Sequence, residues 1–430
     1  MFIHFGILTY TGSWSQANLP ISMFNPTNLN PGQWADAAVA AKMKYGVLTT
    51  RHHDGFALWP SAVSTFDVGS ISWRSGQGDV VREYVDAFRA KGLLPGLYYS
   101  VWDNTQGTGN GTITRAQIDY VKAQLTELLT NYGPIPILVF DGWSWKMGHR
   151  NMPYQEIREL IKSLQPNCLI LDHSHLMSPW DADIVSFEEP KSALAFAPAD
   201  NTYAANQGQK INGSGGNDWF WAPNIGGLMS VQAIVDQHLR LLEPRWTNFL
   251  LNCPPNREGL LDAAIVSRLA EVGQAWSPNP ARPPLPAQGP QNEYPYTPTG
   301  AAATSGTAAN AIDGVNDWGF YTLWVSSGAL PQSVTIDLGQ SRPDVGFVGY
   351  VPRYLANMGP QTDGAITSYG VLVSGNGTSF TEVASGNWPA SGKMKVASFA
   401  PVAARYVRLE ARAVMGSNAA ATEITVGAAR

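Results

Sequence analysis

The segment DVVREYVDAFRAKGLLPGLYYS (residues 79–100) switches its apolar period from helical to extended at a single glycine. Val81, Tyr84, Val85 and Phe88 recur at i, i+3, i+4 and i+7, which puts them on one face of a helix. Asp79 stands where such a helix starts, and Gly92 where it stops. Beyond Gly92 the run LLPGLYYS is short and β-rich. A helix followed by a short apolar strand is the repeating unit of a parallel sheet or barrel. The same alternation runs from residue 1 to about residue 275. Its strand candidates are MFIHFG, YGVLTTRHH, LLPGLYYSVW, IPILVFDG, CLILDHSH, DIVSFEEP and TNFLLNCPP. Helices are expected over 32–44, 80–91, 114–132, 154–164, 231–242 and 263–274, with Thr114 as one N-cap.

The rhythm then breaks. SPNPARPPLPAQGPQNEYPYTPTG (277–300) is Pro-rich, lacks an apolar period and reads as an extended, semi-rigid linker. After it, SVTIDLG, VGFVGYV, SYGVLVSG, FTEVASG, KVASFAP and ARYVRLEA are short strands separated by turn residues, the pattern of an antiparallel sandwich. A chain of 430 residues exceeds a usual single domain. The expected organisation is therefore an α/β class (β/α)8-like TIM barrel over 1–276, the linker, and an all-β sandwich over 301–430.

Composition narrows the partners. The net charge of −5 comes without a basic run, which removes the electrostatic footprint of a nucleic-acid or anionic-membrane partner. Apolar windows fall short of the roughly 20 residues of a membrane span. Charged residues make up only 14% of the chain, whereas 15 Trp and 16 Tyr supply aromatic faces of the kind that stack on sugars. Cys168 and Cys253, in the apolar runs NCLIL and LLNCPP, are expected as buried free thiols. The chain opens inside a strand-like run, with no leader visible in it. Sequons at Asn110, Asn212 and Asn376 suit a secreted or extracytoplasmic protein.

In a parallel barrel, chemistry gathers where the strands end at their C-termini. Polar residues occupy six such ends in succession: His4; His52 and His53; Tyr98, Tyr99 and Trp102; Asp141; Asp172, His173 and His175; and Glu188 and Glu189. One chemistry for this ring is metal-assisted hydrolysis on His4, the His52/His53 pair, a fifth-strand histidine and Asp141. Adjacent strand residues face opposite ways, so at most one of His52 and His53 is expected in the lumen, and H-E-x-x-H is absent. The other chemistry is glycoside hydrolysis by two carboxylates held roughly 5–5.5 Å apart. Asp141, closing the apolar run PILVF, is a nucleophile candidate or a helix cap. Glu188 and Glu189 are acid candidates or solvated rim charges. In the second chemistry His4, His52 and His53 hold hydroxyls, Trp59 or Tyr99 offers a stacking face, and Asp54-Gly55 forms a turn. Trp143 and Trp145 could shape a saccharide subsite. Trp219 and Trp221, in GGNDWFW, could form a lid or a subsite wall.

Taken together, MFIHFG, YGVLTTRHHDGFALWPS, GLLPGLYYSVWD, YGPIPILVFDGW, DIVSFEEP and RWTNFLLNCPPNREGLL resemble, in order, the signature segments of the α-L-fucosidases of glycoside hydrolase family 29. The resemblance implies a retaining exo-hydrolase of terminal α-L-fucose that works without a cofactor on fucosylated oligosaccharides or glycoconjugates. It implies Asp141 as nucleophile, and Glu188 as acid/base through the D-x-x-x-x-E spacing from Asp183, with Glu189 in reserve. It matches the fucose-holding histidines to His4, His52 and His53, and the sugar-contacting tyrosine to Tyr98 or Tyr99. Two departures, Ser13 before Trp14 and Val139 two residues before Asp141, resemble the α-1,3/1,4-selective subgroup. A non-catalytic fucose-binding protein is the remaining alternative. AIDGVNDWGFYTLWVSS, SVTIDLG and ARYVRLEA resemble discoidin-like, coagulation-factor type C sandwiches, in which Asn310, Asp313 and Asp317 could ligate a structural Ca²⁺.

Overall fold

The computed structural model describes all residues except 110–112, 149–150, 173–182, 189–196, 198, 200, 213–218, 224–226, 288–294, 315–321, 356–358 and 429–430. Two compact units divide the chain: Met1–Ser174, Ser186–Ala197 and Ala205–Pro284 make up the first, and Leu285–Arg430 together with His175–Val185 and Pro198–Ala204 the second. The first unit is a near-closed, eight-stranded parallel barrel. In chain order its elements are β1 (Phe2–Ile3), α1 (Pro31–Ala40), β2 (Tyr45–Arg51), α2 (Val80–Ala90), β3 (Leu94–Ser100), α3 (Arg115–Asn131), β4 (Ile137–Asp141), α4 (Tyr154–Leu164), β5 (Leu169–Asp172), β6 (Val185–Glu188), β7 (Ala205–Lys210), α5 (Val231–Ile234), α6 (Arg240–Leu242), β8 (Thr247–Asn252) and α7 (Ala263–Ala275). Hydrogen bonding orders the strands β5-β4-β3-β2-β1-β8-β7-β6.

Local chemistry sets the helix ends. The Asp79 carboxylate accepts from the Arg82 N–H at the start of α2, and Gly92 leaves the helix with φ of 72°. Val81, Tyr84, Val85 and Phe88 are fully buried, so the helix is held chiefly by that stripe, at about 2 kcal/mol per side chain. At α3 the Thr114 hydroxyl and the Gln117 amide close a capping box. The helical periodicity over 231–242 is interrupted: a wide-turn stretch, Val235–Leu239, separates α5 from α6.

Seven strand candidates are visible in the sequence, and the barrel has eight. The strand without a sequence signal is β7, ANQGQK, in which Asn206, Gln207, Gln209 and Lys210 are all buried. Some of its polar side-chain atoms find partners in the barrel, as where Asn206 accepts from Asn248 and Gln207 lies 3.3 Å from the His238 ring nitrogen. Apolar patterning therefore gives no trace of it.

A second local departure occurs in β2. Thr49 pairs with Tyr98 but Arg51 pairs with Tyr99, so β2 advances two residues while β3 advances one. This bulge sends Arg51 to the helix side of the barrel, where its guanidinium lies over the Tyr99 ring and donates to Asp103 and to Gln124 of α3. The residues after Arg51 are released from strand alternation.

The second unit is antiparallel. Its strands are β9 (Gly300–Ala303), β10 (Trp324–Val325), β11 (Gln332–Val351), β12 (Tyr354–Leu355), β13 (Gly359–Pro360), β14 (Ile366–Ser374), β15 (Thr381–Asn387), β16 (Lys395–Val414), β17 (Ala420–Ala421) and β18 (Glu423–Ala428). The main sheet runs β15-β14-β16-β11-β18 with β9 beside β11, while β10 pairs with β17 and β12 with β13. SVTIDLG and VGFVGYV, separate runs in the sequence, form one bent strand, β11, with register shifts against β16 between Asp337 and Phe347. Trp324, Ile336, Val348, Tyr350, Leu409 and Val426 are among its buried core. The Pro-rich stretch is anchored at both ends rather than free. Pro283 and Pro284 carbonyls accept from the Trp246 indole in the first unit, and Tyr296 N–H donates to Val426 O in the second.

Cys168 and Cys253 are buried free thiols, and burial pushes Cys253 up to about 12. Among the described residues, no helix is long and apolar enough to cross a membrane.

Candidate active site

Strand β4 is buried along its whole length and ends in Asp141, whose carboxylate reaches the C-terminal rim of the barrel. Three groups surround it. The Gly142 N–H donates to Oδ1 at 2.5 Å, the Tyr98 hydroxyl donates to Oδ2 at 2.8 Å, and His53 Nε2 stands 3.7 Å from Oδ2. Gly142 has φ of 66°, and a Cβ there would lie 2.6 Å from Trp102 Cβ, so only glycine lets the chain turn this close to the carboxylate.

Around Asp141 the imidazoles form a packed cluster. His52 and His53 lie 4.1 Å apart, His52 stacks on Tyr98 at 5.4 Å, and His4 lies 5.6 Å from His52. Trp102 stacks on His53 at 4.4 Å, and Trp14 meets His53 edge-on at 5.7 Å. The expectation that only one of His52 and His53 reaches the lumen is overturned. The β2 ladder ends at Arg51, and the turn that follows brings both rings to the same cluster. Burial pushes His53 down to about 4, against the opposing pull of Asp141, and Arg51 and Lys146 lower it further. His53 is therefore neutral across the physiological range.

Asp54 faces the turn, where its Oδ1 accepts from the Phe56 N–H at 2.7 Å. Burial raises it to about 7. A carboxyl raised in the folded state stabilises fully below its unfolded value near pH 4 and loses that contribution as pH climbs through 7. Asp54→Asn keeps the accepting oxygen but has no proton to lose. The variant should match the parent in melting temperature at pH 4 and exceed it increasingly at pH 6 and pH 8. A gap of the same size at all three values would refute this.

Several of the candidate residues are placed away from the cluster. Tyr99 faces the helices, donating to Gln124 under the Arg51 guanidinium, because it alternates with the lumen-facing Tyr98. Trp59 is fully buried, and its indole N–H donates to Glu127 of α3, which leaves no face for stacking. Trp221 donates to Asp262, whereas its neighbour Trp219 packs 5.0 Å from His4. Trp143 is core, donating to Met152 O between Phe140 and Tyr154. Glu188 ends β6, and its side chain, like that of Trp145, lies outside the described set. Glu189, His173, His175 and Asp317 also lie outside the described residues. Sequence reading missed Ser100, which lies 2.6 Å from His53 Nδ1, and Asn252, which lies 2.8 Å from His4 Nδ1. It also missed the buried Lys210, in register with Asn252. All three end strands, which is the signal that could have found them.

Among the described residues, His52, His53 and Asp141 bring one ligand atom each within 4.8 Å of one another, a spacing that a cation could bridge. Each carboxylate oxygen of Asp141 also accepts one hydrogen bond, from the Gly142 N–H and from the Tyr98 hydroxyl, and keeps a further lone pair. In the second unit Asn310 donates to Leu323 O, and Asp313 accepts from the Thr322 hydroxyl.

Residues 1–279 match the alpha-L-fucosidase family model, and residues 296–424 match the F5/8 type C domain. The chain belongs to the alpha-L-fucosidase family. It is 32% identical over 292 residues to alpha-L-fucosidase 1 of Arabidopsis thaliana, covering 64% of this chain and 57% of that protein. The chain thus spans little more than half of that relative's length. Among solved structures, it resembles a glycoside hydrolase 29 family member from an unknown rumen bacterium, with a TM-score of 0.54 and 21% identity over 99% of this chain and 96% of that one. It also resembles an alpha-L-fucosidase from Lactobacillus casei in complex with its alpha-L-fucose product, with a TM-score of 0.53 and 22% identity over 64% of this chain and 94% of that one. At such identities the likeness is one of fold.

Proposed function

We propose that this chain is a retaining exo-α-L-fucosidase that releases terminal α-L-fucose by double displacement. The observation that carries the reading is the Asp141 carboxylate, fixed at the barrel rim by Tyr98 and Gly142 within a cluster of imidazole and aromatic rings. Two donors aim it, as a nucleophile requires. In the first step Asp141 attacks the anomeric carbon while Glu188 protonates the leaving oxygen. In the second Glu188 takes a proton from water, which displaces Asp141. Glu189 is the reserve for that acid/base role. His4, His52, His53 and Tyr98 hold sugar hydroxyls, and Trp219 stands where a lumen-side aromatic wall would be needed. Family membership and the fucose complex of the Lactobacillus casei protein support the substrate class.

The preference for α-1,3 and α-1,4 linkages rests on Ser13 and on Val139, which lies one lumen layer beneath Asp141. Residues 1–276 serve as the catalytic module, 277–300 as a connector, and 301–430 as a discoidin-like module. Asn310, Asp313 and Asp317 are kept as candidate Ca²⁺ ligands in that module, checked by its melting temperature with and without calcium. The protein acts outside the cytoplasm, without a catalytic cofactor.

Product profiling on 2-, 3-, 4- and 6-linked fucosyl oligosaccharides tests the reading. Release confined to 3- and 4-linked fucose is expected. Turnover of 2- or 6-linked fucose at equal rate overturns the linkage assignment, and binding without turnover favours a lectin-like role. A second reading, metal-dependent hydrolysis at His52, His53 and Asp141, predicts loss of activity with a chelator and its return with zinc.

A further inference from the structure

Two side chains behind the site fix where the protons of its histidines sit. Ser100 Oγ lies 2.7 Å from the Trp102 carbonyl oxygen and 2.6 Å from His53 Nδ1. A carbonyl only accepts, so the single hydroxyl hydrogen goes to Trp102 and Oγ turns a lone pair to the ring. His53 Nδ1 must then carry the hydrogen. The Arg51 guanidinium donates to the Ser100 carbonyl and pins this strand end.

Asn252 plays the same part for His4. Its Nδ2 donates to the Trp219 carbonyl at 2.8 Å, which settles the amide orientation. Its Oδ1 faces His4 Nδ1 at 2.8 Å and the His4 backbone N–H at 3.3 Å. An amide oxygen only accepts, so His4 Nδ1 also carries the hydrogen. Ser100, Asn252, His4 and His53 are all buried, so water does not compete for these bonds. In a neutral imidazole with hydrogen on Nδ1, Nε2 is an acceptor. His53 Nε2 lies 3.7 Å from Asp141 Oδ2, beyond hydrogen-bond length, as two acceptors would.

We propose that Ser100 and Asn252 are positioning residues that lock His53 and His4 as Nδ1–H tautomers, so that each presents Nε2 to receive a hydrogen bond from a ligand hydroxyl. The identity of that ligand as fucose rests on the reading above, and the tautomers do not. The lock makes the site discriminating, because a hydroxyl can donate to these acceptors and a fluorine in its place cannot.

The tautomers are read directly in long-range ¹H–¹⁵N spectra of the full chain labelled with ¹⁵N-histidine at pH 7. Protonated Nδ1 and unprotonated Nε2 are expected for both His4 and His53, and hydrogen on Nε2 of either overturns the lock for that residue. Ser100→Ala frees the His53 ring. It should raise KM and the inhibition constant of L-fucose about tenfold, the value of one hydrogen bond, while kcat changes less. Ser100→Thr, which keeps the hydroxyl, should restore the parent value, and equal loss in both variants counts against the proposal. Asn252→Asp sets a carboxylate against His4, beside which the His52 and Tyr98 rings lie among the described residues, with Lys210 in register with Asn252 on the adjoining strand. It should raise the His4 pKa, so that L-fucose binding weakens at neutral pH and recovers as pH rises. A binding profile that coincides with the parent's refutes the role of Asn252. If no fucoside is hydrolysed but both Nδ1 atoms are protonated, the catalytic reading fails and the lock stands.

Discussion

Replacing Asp141 with glycine is expected to lower kcat on an aryl α-L-fucoside by about 10⁴-fold or more, the scale on which loss of a catalytic nucleophile is felt. The fold should survive. The variant leaves the Tyr98 hydroxyl and the Gly142 N–H without their anion, at about 1–3 kcal/mol each, and removes a buried charge in compensation. A circular dichroism spectrum and melting curve taken beside the kinetics check this. The variant also opens a space below the anomeric carbon, so millimolar azide should restore turnover and deliver a β-fucosyl azide. The azide attacks from the face that Asp141 used, opposite the leaving group, and no second inversion follows. Residual activity within tenfold of the parent, or an α-configured azide, would remove Asp141 from the nucleophile role. Under the metal reading, azide brings no rescue and added zinc governs the rate.

The second large effect concerns stability. Arg51→Met should destabilise the barrel by about 3–5 kcal/mol, since it leaves Asp103 buried without its cation. Arg51 and Asp103 meet at 2.7 Å with both side chains out of water, and Gln124 and the Tyr99 ring complete the enclosure. The Asp103 carboxylate also accepts from Thr105 and Gln106, and so shapes the loop that carries Trp102 against His53. A looser loop should raise KM for the fucoside as well as lower the melting temperature. Asp103→Leu combined with Arg51→Met removes both charges together, and the double variant should be more stable than the sum of the single losses implies. A single Arg51→Met variant within 1 kcal/mol of the parent in chemical denaturation would show that the pair is not needed.

These residues show how far local chemistry reaches. The stripe on α2, its Asp79 cap and its Gly92 stop are short-range features, and they are present in the protein much as the spacing predicts. Asp141 is legible for a related reason: a charge closing an apolar strand is unusual whatever surrounds it. Tyr98 and Tyr99 are indistinguishable as letters. Only the β3 register, with Tyr98 beside Val139 in the lumen, separates the one that touches Asp141 from the one that braces Arg51. Trp59 and Trp143 carry the same sugar-stacking potential as Trp219 as letters, but both are fully buried, with their indole N–H groups bonded to Glu127 and Met152.

The amino-acid order by itself determined the alternation of helix and strand, the Pro-rich break, the all-β second unit and the strand-end positions where a site could form. Each follows from spacings of a few residues, over which backbone geometry is fixed. Tertiary structure alone decided three things. It placed the polar strand β7 in the barrel, because buried amides are stable only once distant partners satisfy them. It turned both His52 and His53 to the site, because the β2 ladder ends at Arg51 and the turn that follows no longer alternates as a strand does. And it joined Ser100 and Asn252 to histidines 47 and 248 residues away, where a hydrogen-bond direction rather than a residue type fixes what the site accepts.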